Sequence, residues 1–308
     1  MSATSRRSTS KPVLAFTCGD PAGIGPEIAA AAMRAPRVRR ACEPVAVGEA
    51  SVWRRAGWRG AVVDTRLGLA VPKPGAPSKA SGALSFAAFR RAVELAERGL
   101  VGGIVTAPIS KLAWKMAGVP FTDHTEYLRS VTGRSAEMIL CAPDDGLWTV
   151  TATRHVPLAE VSKRVTRAAI ASSARALREA LTLAGNSRPR IGLCGLNPHA
   201  GEEGLLGPEE KRVLVPAARS LKLEGPIAAD AAWRLHRERK LDGLVCLYHD
   251  QALIGLKASV GLRIVNWTVG LPFIRTSPGH GTGFDIAQKR AADPFAMESA
   301  ALLAARLA

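Results

Sequence analysis

"LDGLVCLYHDQALIGLK", residues Leu241 to Lys257, decides the fold class. Its run Leu244-Val245-Cys246-Leu247 is apolar without alternation. Such a strand is buried on both faces, as in a parallel sheet covered by helices. The run then stops at Tyr248-His249-Asp250-Gln251. An imidazole and a carboxylate at the carboxyl end of a strand sit where open α/β sheets bind their ligands.

The pattern recurs. "LAFTCGDPAGIGPEI" from Leu14, "GIVTAPISK" from Gly103, "TVTATRHVPL" from Thr149 and "IGLCGLNPHAGEEG" from Ile191 each pass from an apolar strand to a polar loop. Apolar runs at 13–17, 44–47, 103–106, 138–141, 147–153, 190–194, 244–247 and 263–268 predict strands. Amphipathic segments predict helices over 26–33, 81–98, 125–132, 159–183, 208–221, 229–238 and 284–291. A last helix is expected within 292–307, opening at "DPF". The alternation predicts an α/β fold. The length, 308 residues, suits two subdomains or one large α/β unit. No internal repeat is visible, and the Pro/Gly/Ser-rich loop 71–81 is the clearest break.

Hydrophobic residues make up 47% and charged residues 22%, an ordinary balance for a water-soluble globular chain. No apolar run is long enough to span a bilayer. The start, "MSATSRRSTSK", has no apolar core for a secretory signal; it reads as a frayed end, with a short transit-like segment as the alternative. The five cysteines are scattered and form no C-x-x-C pair, which predicts buried thiols in a cytoplasmic protein. The net charge is +16, but its basic residues are spread along the chain without an aromatic-rich strand. That argues against nucleic acid and suits attraction of a phosphorylated, carboxylated small molecule.

Several side chains stand out. His155, His199 and His249 occupy corresponding strand-end positions. Singly, each reads as a hydrogen-bonded loop residue. Together they make a site for Zn²⁺ or a similar divalent ion, with Asp250 to orient a ligand or join it. His124 and Thr125 precede a predicted helix. There Thr125 serves as an N-cap, or both contact a phosphate. Asn266 interrupts "RIVNWTVGLPF", and a buried amide requires a partner, for which a ligand qualifies. Lys257 and Arg275 are cations near it in sequence, each equally placed for a solvated surface. His280, Thr282 and Asp285 lie in "GHGTGFDIA", whose glycines allow close backbone approach. "GDPAGIGPEI" lacks the G-x-G-x-x-G spacing, so it reads as a tight turn or as a loop approaching an anion.

These stretches, with "HTEYL", "RHVPL", "GLNPHAGEEG" and "YHDQ", resemble the 4-hydroxythreonine-4-phosphate dehydrogenase family of vitamin B6 biosynthesis. "HGTGFDIA" followed by "ADP" is also similar to the adenosine loop of isocitrate and isopropylmalate dehydrogenases. The resemblance implies that two-domain fold, with 1–135 plus 270–308 as one domain and 136–269 as the other. It implies a homodimer with its active site in the cleft between domains at the dimer interface. His155, His199 and His249 would be the metal ligands, drawn from both subunits, for Zn, Mg or Co. His124, Thr125, Lys257, Asn266 and Arg275 would contact substrate. NAD or NADP would lie near His280, Thr282 and Asp285. Asp250 and Lys257 are the catalytic candidates, Asp250 for proton handling or support of a ligand. The implied reaction is oxidation of 4-phosphohydroxy-L-threonine and decarboxylation to 3-amino-2-oxopropyl phosphate.

The chain departs from that family's usual pattern. Asp123 replaces a Gly before His-Thr-Glu, Gly279 an Asp before His280, and Gly283 and Gln288 small residues of the loop. These changes keep a paralogue acting on 4-phospho-erythronate or threonate 4-phosphate as an alternative. A non-redox, metal-dependent phospho-sugar lyase or hydrolase is the alternative from another class.

Overall fold

The computed structural model describes residues 11–287, 289 and 291–308. The readings of the first ten residues and of Gln288 lie outside the described residues. In chain order the elements begin with β1 (Val13–Thr17), α1 (Gly25–Arg34), α2 (Pro36–Ala41), β2 (Glu43–Gly48), α3 (Ala50–Arg55) and β3 (Val62–Asp64). Then come α4 (Lys79–Glu97), β4 (Gly103–Thr106), α5 (Lys111–Met116) and α6 (His124–Thr132). Next are β5 (Glu137–Ala142), β6 (Leu147–Thr151), α7 (Val161–Arg164), α8 (Arg167–Leu183) and β7 (Ile191–Cys194). They are followed by α9 (Val215–Leu221), β8 (Glu224–Ile227), α10 (Ala229–Arg237), β9 (Gly243–Cys246), α11 (His249–Val260) and β10 (Val265–Val269). The chain ends with β11 (Ile274–Pro278) and α12 (Phe295–Leu307).

Two units form. The first takes the described residues up to Thr132 together with Pro272–Ala308; the second is Gly133–Leu271. The first unit carries parallel strands in the order β3-β2-β1-β4-β11. The second carries β10-β5-β6-β9-β7-β8, antiparallel from β10 to β6 and parallel from β6 to β8. The uninterrupted apolar strands β7 and β9 are buried at every position, as continuous hydrophobic runs require.

In the second unit the core is built from Leu244 and Cys246 of β9, Cys194 of β7, Trp233 of α10 and the inner face of α11. That face is Ala252, Leu256 and Val260, spaced by single helical turns. Burying Leu256 alone contributes about 1.5–3 kcal/mol. The five cysteines are free and buried. Among the described residues, no helix is long and apolar enough to cross a membrane.

The structure corrects several expected elements. The predicted helix 159–183 is broken: Val165 is extended, and Thr166 accepts a hydrogen bond from the Ala169 N–H at 3.1 Å, restarting the chain as α8. Residues from Phe284 to Ala287 form turns, not a helix, closed by three-residue hydrogen bonds such as Ile286 N–H to Gly283 at 3.2 Å. So short a helical segment is not stable by propensity alone. "YHDQALIGLK" is not a strand running into a loop. Tyr248 caps α11, and His249 is its first residue. Strands β3, β8 and β11 had little apolar signal: "VVD" is short, "EGPI" holds Gly and Pro, and "IRTSP" is polar.

Candidate active site

In the first unit the polar centre lies at the amino end of α6. Asp123 caps this helix, accepting the Glu126 N–H at 3.0 Å on Oδ1. Thr125 is therefore not the capping residue. The other oxygen, Oδ2, holds the Lys111 ammonium at 3.3 Å. Burial opposes ionisation of Asp123, but the Glu126 N–H and the Lys111 charge outweigh it and hold its pKa below the usual carboxylate value.

His124 follows the cap with 8% of its surface exposed. Its ring stacks near Phe89 at 4.2 Å and meets Trp114 edge-on at 5.4 Å, centroid to centroid. Arg275 of β11, 3% exposed, donates Nη2–H to Thr106 Oγ1 at 2.8 Å and to His124 Nδ1 at 3.0 Å. A guanidinium has no acceptor, so His124 Nδ1 accepts and its proton sits on Nε2. That Nε2 is buried with no hydrogen-bond partner among the described residues. Burial first, and the Arg275 charge second, push the His124 pKa well below its ordinary value, so the ring is neutral. Burial also lowers the Arg275 pKa to about 10, with Asp123 pulling it back up; it stays charged at neutral pH. A buried cation whose bonds to Thr106 and His124 go to neutral acceptors is suited to an anion.

His280, Thr282 and Asp285 share one loop of the same unit. Thr282 accepts the Ile24 N–H on its carbonyl at 2.8 Å. A Cβ on Gly23 would stand 2.5 Å from that carbonyl, so this glycine serves contact between two loops. "GDPAGIGPEI" is a structural turn here. Asp20 makes it rigid, buried and bonded to the Ala22 N–H at 2.9 Å and the Ser81 hydroxyl at 3.2 Å. His280 is half-buried with Nδ1 3.0 Å from the Gly281 carbonyl, and Asp285 is exposed. An exposed carboxylate and a half-buried imidazole fit the hydroxyls and amides of a nucleotide cofactor.

In the second unit the His155 and His249 rings lie 5.6 Å apart. Asp250 accepts the His249 Nδ1–H at 2.6 Å, which leaves the lone pair of Nε2 for a metal ion or a hydrogen-bond donor. His155 sits at φ 48°, a left-handed conformation rare for a residue with a side chain. His199 opens a left-handed turn in which every φ through Glu203 is positive. Each of these residues other than Gly201 costs roughly 1–2 kcal/mol, which the surrounding contacts must offset. Glu210 supplies those contacts: it accepts the N–H groups of Leu196 and Asn197 at 2.9 and 2.8 Å and the Asn197 amide at 2.9 Å. Burial disfavours its charge, yet those hydrogen bonds hold its pKa below the ordinary value.

The paired imidazoles fit two nitrogen positions of a divalent cation. Among the described residues, no group of three or more His, Cys, Asp or Glu side chains is placed to hold a metal. The sequence predicts a partner for Asn266, in β10, yet its buried Oδ1 has none among the described residues. Lys257 is exposed, about 12 Å along α11 from His249. Gln251 escaped the sequence reading. It is 8% exposed, accepts the Leu247 N–H at 2.7 Å and donates to the Gly195 carbonyl at 2.8 Å, tying the end of β9 to the loop that carries His199. Its signal was an amide opening an otherwise apolar helical face.

The pyridoxal phosphate biosynthetic protein PdxA family matches residues 23–304. The chain is 40% identical to a 4-hydroxythreonine-4-phosphate dehydrogenase of Synechococcus sp. (strain JA-3-3Ab), over 96% of this chain and 95% of that one. It is 35% identical to a Symbiobacterium thermophilum protein named provisionally as a D-threonate 4-phosphate dehydrogenase, over 97% of each. The crystal structure of 4-hydroxythreonine-4-phosphate dehydrogenase from Klebsiella pneumoniae superposes with a TM-score of 0.82 at 33% identity, covering 95% of this chain and 98% of that one.

Proposed function

Because the chain belongs to the PdxA family of pyridoxal phosphate biosynthetic proteins, we propose that it oxidises 4-phosphohydroxy-L-threonine with NAD⁺ or NADP⁺ and releases CO₂, giving 3-amino-2-oxopropyl phosphate. The chain is an oxidoreductase of that family. The observation that carries the substrate class is the buried Arg275 bonded to Thr106 and neutral His124 at the amino end of α6. Helix termini, guanidinium groups and hydroxyls are the standard donors to phosphate.

Arg275, His124 and Thr125 hold the anionic end of the substrate. Lys257 and the unsatisfied Asn266 carbonyl contact the rest of it. His155, His199 and His249 hold a divalent ion, Zn, Mg or Co, with ligands from two protomers of a homodimer. Asp250 fixes the His249 tautomer or handles a proton. His280, Thr282 and Asp285 hold the dinucleotide. The dinucleotide bound by these residues would supply a hydride acceptor, and a cation held by the histidines would supply Lewis acidity for the alcohol and for the charge left by CO₂ loss. The protein acts in the cytoplasm on a free small molecule.

The test is absorbance at 340 nm with NAD⁺ or NADP⁺, a divalent metal and each of three substrates: 4-phosphohydroxy-L-threonine, D-threonate 4-phosphate and 4-phospho-erythronate. The amino acid phosphate should give the highest kcat/KM. The similarity to the Symbiobacterium protein favours a threonate-type substrate as the second reading, which the same panel decides. No cofactor reduction with any substrate or metal would sink the dehydrogenase reading.

A further inference from the structure

The two ends of Asp123 have different jobs. Oδ1 caps α6 through the Glu126 N–H, while Oδ2 holds Lys111, the first residue of α5. Lys111 and Asp123 expose 61% and 37% of their side chains, so solvent and a ligand can both reach the pair. Beside them lie the buried Arg275 guanidinium and the His124 ring, whose Nε2 has no partner. The group thus has two cations, and Asp123 holds Lys111 by direct contact while its charge also acts on Arg275.

We infer that Asp123 is a specificity-determining residue that weakens the hold of the α6 site on a phosphate group by occupying Lys111 and placing a negative charge at the mouth of the site. This rests on the reading of Arg275, His124 and Thr125 as the substrate's anion site. A phosphate monoester carries nearly two negative charges at neutral pH. It competes with the Asp123 carboxylate for Lys111 and is repelled by it. Asparagine caps a helix as well as aspartate does, so Asp123→Asn removes the charge and keeps α6 in place.

The test is calorimetric titration of the full-length protein with inorganic phosphate at fixed ionic strength. Asp123→Asn should bind phosphate about threefold to tenfold more tightly, the effect of one screened charge. Lys111→Gln should bind it more weakly than wild type. In the double variant, the gain from Asp123→Asn should shrink, because part of that gain acts through Lys111. Unchanged or weaker binding by Asp123→Asn overturns the inference while leaving the anion site standing. Absence of phosphate binding in both the wild type and Asp123→Asn overturns the anion site, and the inference with it.

Discussion

At the scale of single residues, Arg275 sets the character of the first unit's site. Its guanidinium reaches Thr106 with both Nε and Nη2, and His124 with Nη2. Lysine has the charge but not the fork. Arg275→Lys should therefore destabilise the protein by about 1.5–3 kcal/mol, the worth of hydrogen bonds to a charged donor. It should also raise KM for the phosphorylated substrate. Urea midpoints and steady-state kinetics check both; a variant matching wild type in each would show that neither folding nor substrate binding needs the guanidinium fork. The chain itself pointed to Asn266, because a polar group inside an apolar run is costly and needs a partner, and to His124 from its place before a helix; Arg275 reads equally well as solvated, and the family resemblance singles it out. It did not point to Gln251 or Glu210. Their work is done across loops distant in sequence, and an isolated Gln or Glu in a helical segment looks like a solvated face.

At the scale of elements, α11 converts the strand end at Leu247 into a site. The helix starts at His249, so its first turn carries His249, Asp250 and Gln251 together. It sits close to α10 because Gly255 has no side chain: a Cβ there would stand 2.2 Å from the Trp233 indole. Trp233 is itself fixed, donating Nε1–H to the Gln251 carbonyl at 2.8 Å. Gly255→Ala favours helix propensity but forces the indole aside. Overpacking of that kind costs about 1–3 kcal/mol. A lower thermal midpoint with loss of activity is expected; an unchanged midpoint would show that Trp233 moves freely. Reading this segment from sequence failed on a specific point. Gly255 and the polar start hid a helix whose inner face, Ala252, Leu256 and Val260, had regular spacing all along.

At the scale of the whole molecule, pH acts through a buried histidine with no part in the proposed chemistry. His236 is fully buried; its Nε2 accepts the Trp148 N–H at 2.9 Å, and Nδ1 lies 2.9 Å from the Leu241 carbonyl. Burial lowers its pKa below the ordinary 6.5. The folded state thus keeps His236 neutral where the unfolded chain already takes a proton. Stability from this group is full above about pH 6.5 and is lost as pH falls from there through the folded pKa, by at most about 1.4 kcal/mol per pH unit. His124, depressed in the same direction, adds to the effect. Asp20, whose pKa burial raises, opposes it. Urea unfolding at pH 7.5 and 5.5 should show a lower midpoint at 5.5, with a smaller drop in His236→Gln. Equal drops in both proteins would exclude His236 as the cause.

The sequence by itself determined the α/β class and most strands of both units, and it singled out the polar side chains for which roles are proposed. Those features are local: continuous apolar runs declare two-sided burial, and polar residues at their ends declare a ligand edge. The tertiary structure decided which side chains meet. It set His155 beside His249, bonded Arg275 to His124 across 151 positions of chain, and gave Asp123 both a helix and a lysine to hold. It also found strands β3, β8 and β11, which have too little hydrophobic pattern to be seen before their neighbours pair with them. Partnership across long sequence separation depends on backbone path, and no single segment records that path.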